Sequence, residues 1–294
     1  MWLRWGISSG GDAVRFGLNA LLYTVEFSNK ALDLIPHVAE LGFDGIELPF
    51  IVLDALDPAA IRRELQRAGI GATGCAVLVP GANLISDDAG ERRAGVERLR
   101  RCVALAAEMG AEAVAGPLYA PVGQLAGRGR TPAEWQRAVE GLRAAAEAAG
   151  DAGVRLAIEP LNRFETYFLN TAADALALVQ AVGHPSLKVQ LDTFHAHIEE
   201  KDAAAAIRLL GPNLGHFHAC ENDRGTPGTG QVHWQKVLGA LREIGYDGWV
   251  TMESFATGIS DLCKAACIWR EIYPSADAYA REGLAFLKRT LGVR

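Results

Sequence analysis

Four stretches in the second half of the chain decide the fold: Arg155–Leu161 (RLAIEPL), Leu187–Asp192 (LKVQLD), Leu214–Ala219 (LGHFHA) and Trp249–Phe255 (WVTMESF). Each is a short, mainly apolar run that carries a polar side chain at or near its end. Working towards the N-terminus, Arg15–Asn19 (RFGLN), Gly45–Phe50 (GIELPF), Ala72–Val79 (ATGCAVLV) and Ala113–Leu118 (AVAGPL) have the same character. Most of the eight lack polar alternation, as expected of parallel strands buried on both faces. Longer helical stretches separate them. Eight such βα units in 294 residues predict an α/β fold, a closed (β/α)8 TIM barrel spanning residues 15–294 behind an N-terminal extension at 1–14. An open doubly wound sheet is the alternative, but no GxGxxG follows the first strand. The glycines of 123–130 (GQLAGRGR) follow the fourth strand and read as a flexible loop.

Local signals place the helices. Ser28 is expected to cap a helix running to Leu41 and ending at Gly42. Asp57 followed by Pro58 reads as a cap with an N1 proline. Thr131, Pro132 and Glu134 repeat the device with a partial capping box. The stretches Asp88–Gly110 and Thr131–Gly150 are rich in helix formers.

The formal net charge is -6 and no lysine–arginine block occurs, which weighs against a nucleic-acid partner. No apolar run is long enough to cross a membrane, and the first residues lack the core of a signal peptide. The five cysteines are scattered, as in a chain kept reduced in the cytoplasm; Cys263 and Cys267, four apart on an expected helix, read as ordinary free thiols, with a metal or redox pair as the alternative.

A barrel of this kind collects its functional side chains at the C-terminal ends of the strands. There the last four strands bring Glu159, Asp192, His218 and Glu253 to one rim. Three buried carboxylates would repel one another, and a divalent cation removes that cost. Three carboxylates and one imidazole form an oxygen-rich set suited to Mn2+, Co2+ or Mg2+. His216 shares a strand face with His218 and is either a supporting partner or ordinary core. Glu47 either reaches the pocket or makes a structural ion pair. His197 and Glu199 read as a solvated loop; His37, His184 and His233 as surface or packing residues; Trp234 as packing at a helix start.

The strings EPLNRFE at 159–165, KVQLDTFHAHIEE at 188–200, GHFHACENDRGTPGTGQVHW at 215–234 and GYDGWVTMESF at 245–255 carry a wider likeness. With them the chain resembles the ketose 3-epimerase family, the D-tagatose and D-allulose 3-epimerases of the xylose-isomerase-like barrels, from about Arg15 onward. The resemblance implies that Glu159, Asp192, His218 and Glu253 ligate one metal ion, Mn2+ first, and that Glu159 and Glu253 are the acid/base pair. It implies that Glu165, His195 and Arg224 bind the sugar. The expected reaction inverts C3 of a free ketose through a cis-enediolate.

The chain departs from the family around Gly71–Leu84 and at Asn19 and Tyr23, segments expected to shape the pocket for the distal part of the sugar. Related barrels serve aldose–ketose isomerases such as hydroxypyruvate isomerase, lyases such as inosose dehydratase, and apurinic endonucleases. A silent sugar-binding barrel is a further alternative. By resemblance the assembly is a homodimer or homotetramer. The tail from Cys263 to Leu284, with Trp269, Tyr273 and Tyr279, is apolar enough to pack on the barrel or on a partner.

Overall fold

In the computed structural model, residues 14–256, 264 and 266–293 are described. The expected extension at 1–14 therefore lies, but for Val14, outside the described residues, as does Cys263. Strands β1 (Arg15–Asn19), β2 (Gly45–Phe50), β3 (Gly71–Ala76), β4 (Ala113–Gly116), β5 (Arg155–Ile158), β6 (Leu187–Asp192), β7 (Leu214–Ala219) and β8 (Trp249–Met252) close into one barrel in sequence order. Neighbouring strands are parallel, β8 against β1 included. Every residue of β2, β4, β7 and β8 is buried, because helices cover the outer face while side chains fill the interior.

Four predicted strands run past the observed ends, for local reasons. Pro117 and Pro160 follow β4 and β5 closely and cannot donate to a ladder. Gly116 ends β4 at a φ of 129°, a conformation only glycine adopts easily.

The helices among the described residues are α1 (Leu34–Glu40), α2 (Pro58–Ala68), α3 (Ala89–Met109), α4 (Pro132–Ala152), α5 (Ala172–Val182), α6 (Thr193–Glu199), α7 (Ala203–Leu210), α8 (Trp234–Glu243) and α9 (Ala276–Leu291). Asp57 caps α2 by accepting from the Ala60 amide at 2.9 Å. Thr131 and Glu134 form a complete capping box on α4. Ser28, by contrast, caps only a 3-10 turn at Asn29–Ala31, and α1 starts later than expected. Pro36 is the reason: it lacks an amide hydrogen and fits only the first turn of an α-helix.

Trp249 fills the barrel interior at its N-terminal end. A Cβ at Gly71 would stand 2.9 Å from the indole, and one at Gly45 would meet it more closely still. Those two glycines make room for the ring. The polar side chains are thereby gathered towards the other end of the barrel, where the register sets Asn19 beside Glu47, Glu47 beside Thr73, and Asp192 beside His218.

Candidate metal centre and active site

Glu159 follows β5, Asp192 ends β6, His218 lies near the end of β7 and Glu253 follows β8. All four are buried. Potential ligand atoms of Glu159, Asp192 and His218 lie within 4.8 Å of one another, as do those of Asp192, Cys220 and Glu253. Asp192 belongs to both groups, so the four residues expected at the rim are brought together, and the Cys220 thiol joins them. His218 Nε2 donates to Glu47 Oε1 at 2.6 Å, which turns Nδ1 towards Asp192 Oδ2 at 3.7 Å and Glu253 Oε2 at 3.5 Å.

Arg224 is the cation inside this cluster. Its Nη1 donates to Asp192 Oδ2 at 2.8 Å and to Glu253 Oε2 at 2.6 Å. The guanidinium carbon lies 4.1 Å from the Phe194 ring centroid and 5.1 Å from that of Phe255. Both distances fall within the range of cation–π attraction. The backbone holds Arg224 at a φ of 66°, unusual for a residue with a side chain, and Ser254 Oγ donates to its carbonyl at 2.8 Å.

Burial and charge move the titrations apart. Burial pushes the Glu159 carboxyl well above the ordinary range, and the nearby Asp192 and Glu253 add to this against the pull of His218 and Arg224. Burial would also raise Asp192, but Arg224 reverses the direction and holds it low. The protein's own cations thus do not offset the burial of Glu159. A divalent cation would allow all of these carboxyls to ionise, and a hard, oxygen-rich donor set matches one. Glu47 with His216 and His218 makes a second cluster of donors, but its N–O separations of 2.7 and 2.6 Å are direct contacts with no room for an ion.

His195, on α6, is neutral: burial and the Arg224 charge lower its pKa to about 3. Its Nδ1 accepts from the Asn162 amide at 3.0 Å, so the ring hydrogen resides on Nε2. That Nε2 lies 3.2 Å from Arg224 Nη2, another donor, and 3.9 Å from Glu159 Oε1. Two donors therefore converge without an acceptor between them. Asn162 Nδ2 also donates to Glu165 Oε1 at 2.8 Å, and burial raises the Glu165 pKa.

Glu159, Glu165, His195, Arg224 and Glu253 open into one cavity of about 370 Å3. Its remaining wall is largely apolar, with Leu21 and Val25 after β1, Val77 to Pro80 after β3, and Pro121 and Val122 after β4. The segment at 71–84 shapes the pocket as expected. Tyr23 does not: its hydroxyl turns away to donate to Asp277 Oδ1 on α9 at 2.9 Å. The same carboxylate lies 2.9 Å from His37 Nε2, so His37 has a specific partner that its sequence neighbours did not suggest.

A family model described as xylose isomerase-like TIM barrel matches residues 35–290. A probable ketose 3-epimerase of Synechocystis sp. is 35% identical over 277 residues, 94% of this chain and 96% of that one. The chain belongs to the ketose 3-epimerase family of xylose isomerase-like TIM barrels. Within that family, a D-psicose 3-epimerase of Agrobacterium fabrum is 36% identical over 289 residues, covering 95% of this chain and all 100% of its own. A solved D-psicose 3-epimerase, determined in the presence of D-fructose, superposes with a TM-score of 0.89 at 35% identity, over 95% of this chain and 100% of that one.

Several supports of this ketose 3-epimerase site escaped the sequence reading. Glu199 is not on a solvated loop: it ends α6, and its carboxylate accepts from the Arg163 amide at 2.8 Å and from the Arg163 guanidinium at 2.9 and 3.0 Å. It thereby holds the NRFE turn that presents Glu165. Glu221 anchors the loop bearing Arg224, accepting from Trp234 Nε1 at 2.6 Å and from the Gly228 amide at 2.7 Å. Tyr279 on α9 donates to the Glu253 carbonyl at 2.8 Å, so that part of the tail packs on the barrel, whereas Trp269 is 73% exposed. His216 lies 2.7 Å from Glu47, which makes it a supporting neighbour of His218, and Glu47 itself is an interior residue beneath the pocket. His233 is exposed and Trp234 packs at the start of α8, as expected; His197 is exposed too, but on α6 rather than on a loop.

Proposed function

We propose that this protein epimerises free ketoses at C3, interconverting pairs such as D-fructose and D-allulose or D-tagatose and D-sorbose, with L-ribulose as a further candidate. One observation carries the reading. Two glutamates from strands three steps apart around the barrel share a cavity with a pair of hydrogen-bond donors, His195 Nε2 and Arg224 Nη2, that have no acceptor between them.

A ketose carbonyl oxygen in front of both donors would accept from the two together. The proton at C3, beside the C2 carbonyl, is then within the domain of the glutamates. One of Glu159 and Glu253 takes that proton, and the electron pair moves onto O2 to give a cis-enediolate. The other glutamate returns a proton to the opposite face of C3. His195 and Arg224 donate to O2 as its charge grows, and being fixed beforehand they need no reorganisation. Glu165 holds a sugar hydroxyl. Glu159, Asp192, His218 and Glu253 would hold one divalent cation, Mn2+ in our reading with Co2+ or Mg2+ as alternatives, supplying a Lewis acid to the sugar oxygens. Arg224 is the one arginine or lysine lining the cavity among the described residues, and its Nη1 is engaged by Asp192 and Glu253. This supports an unphosphorylated substrate.

The test is NMR of the Mn2+-supplemented protein with D-fructose or D-tagatose in D2O. Deuterium entering C3 with a C3-epimeric ketose is the expected result. Deuterium at C1 with an aldose product would move the protein to the isomerases, and exchange with no free ketose would refute the assignment. The same reading makes the assembly a homodimer or homotetramer, checked by light scattering. It places the chain in the cytoplasm, in keeping with the buried free thiols of Cys75, Cys102 and Cys220. No helix among the described residues is long and apolar enough to cross a membrane.

A further inference from the structure

We infer that Asn19 is a positioning residue for proton transfer, orienting the Glu253 carboxylate through its side-chain amide; the inference rests on the epimerase reading above. Asn19 ends β1, is fully buried, and lies between the carboxylates of Glu47 and Glu253. Its Oδ1 accepts from the Leu21 amide at 2.9 Å, capping the 3-10 turn that follows. That bond settles which way the amide faces. The NH2 group is left pointing into the barrel, where it lies 2.9 Å from Glu47 Oε1 and 3.3 Å from Glu253 Oε1. An amide nitrogen has two hydrogens, one for each carboxylate.

The opposite oxygen of Glu253 is taken by Arg224 Nη1 at 2.6 Å. Asn19 and Arg224 thus hold Glu253 from two sides, and a carboxylate held at both oxygens cannot rotate freely about its terminal bond. Glu47, the second acceptor of Asn19, also receives His218 Nε2. Asn19 therefore joins Glu253 to the carboxylate that orients His218. A residue that only capped its turn would have no need of a nitrogen there.

Asn19→Ser separates the two roles. A serine hydroxyl can still cap the turn but is too short to reach the carboxylates. The expected variant melts close to the wild type and binds Mn2+ by calorimetry with affinity changed less than about threefold. Its kcat for C3 epimerisation falls about 10- to 100-fold while KM stays nearly constant. With C3-deuterated substrates, the isotope effect on the variant rises in the direction in which Glu253 removes the proton and not in the reverse direction. Asn19→Gln, which restores the amide at a longer reach, recovers part of the rate. Equal isotope effects in both directions, or a loss of Mn2+ affinity large enough to account for the rate, would overturn the inference. A wild type that exchanges no C3 proton overturns the epimerase reading and this inference together. An active wild type with an equally active Asn19→Ser variant overturns this inference alone.

Discussion

Replacing Glu47 by Gln tests whether the carboxylate beneath the pocket holds the site together. Oε1 of Glu47 accepts from Asn19 Nδ2 at 2.9 Å and His218 Nε2 at 2.6 Å, and Oε2 accepts from Thr73 Oγ1 at 2.9 Å, while the His216 imidazole stands at ion-pair distance, 2.7 Å from Oε2. The group is fully buried. Burial alone would raise its pKa, but the two imidazoles hold it well below the ordinary carboxylate range. A glutamine has one carbonyl oxygen. It can keep the donors on one side, while its NH2 faces those on the other.

Bonds to a charged acceptor contribute about 1.5–3 kcal/mol each. Losing one side, with some relief from Thr73 turning its hydroxyl, should cost roughly 2–4 kcal/mol. The proposed metal site should suffer as well, since removing the partner that orients a histidine ligand typically lowers metal affinity about 10- to 100-fold. Urea denaturation of both proteins with and without Mn2+, and calorimetric Mn2+ titration, measure the two effects. A variant within about 0.5 kcal/mol of the wild type that binds Mn2+ equally well would refute the account of Glu47 as the anchor of His218.

Glu159→Gln and Glu253→Gln should each lower kcat for C3 epimerisation by about 10^2- to 10^4-fold, the usual range for an acid/base group, with folding judged intact by circular dichroism. Tyr279→Phe removes the hydroxyl that holds the Glu253 carbonyl and should cost about 1 kcal/mol of stability in a denaturant titration. At Glu134, the Arg128 guanidinium lowers the carboxyl pKa to about 2 against the effect of burial, with help from Thr131 and Tyr167. Its folded pKa lies below the unfolded value, so its contribution is present above about pH 4.5 and is lost as pH falls towards 2. Screening at the half-exposed Arg128 limits that contribution to about 1–3 kcal/mol. Glu134→Gln should therefore melt below the wild type at pH 7, with the gap closing on acidification; a gap independent of pH would contradict the assignment.

What was legible in the sequence was whatever a short window encodes. Strand identity followed from apolar runs, and four of the eight strands, β1, β2, β6 and β7, have the expected bounds. Asp57 and Thr131 announced their helices because a cap reaches only two or three residues along the chain. Glu159, Asp192, His218 and Glu253 were visible for a related reason: the end of a barrel strand has one address, the rim, so a ligand type at a strand end is already placed. Ser28 misled because a cap signal says where a helix can start, while Pro36 restricted where this one does.

The tertiary structure alone decided the contacts that cross the barrel. Asn19 meets Glu253 across 234 positions of sequence, and His37 reaches Asp277 across 240. Arg224 settles among Asp192, Glu253, Phe194 and Phe255, which come from two connections other than its own, those after β6 and β8. No periodicity records such meetings. They exist because closing the sheet sets β1 beside β8, and burial then favours those pairings of polar groups that the closure brings within reach.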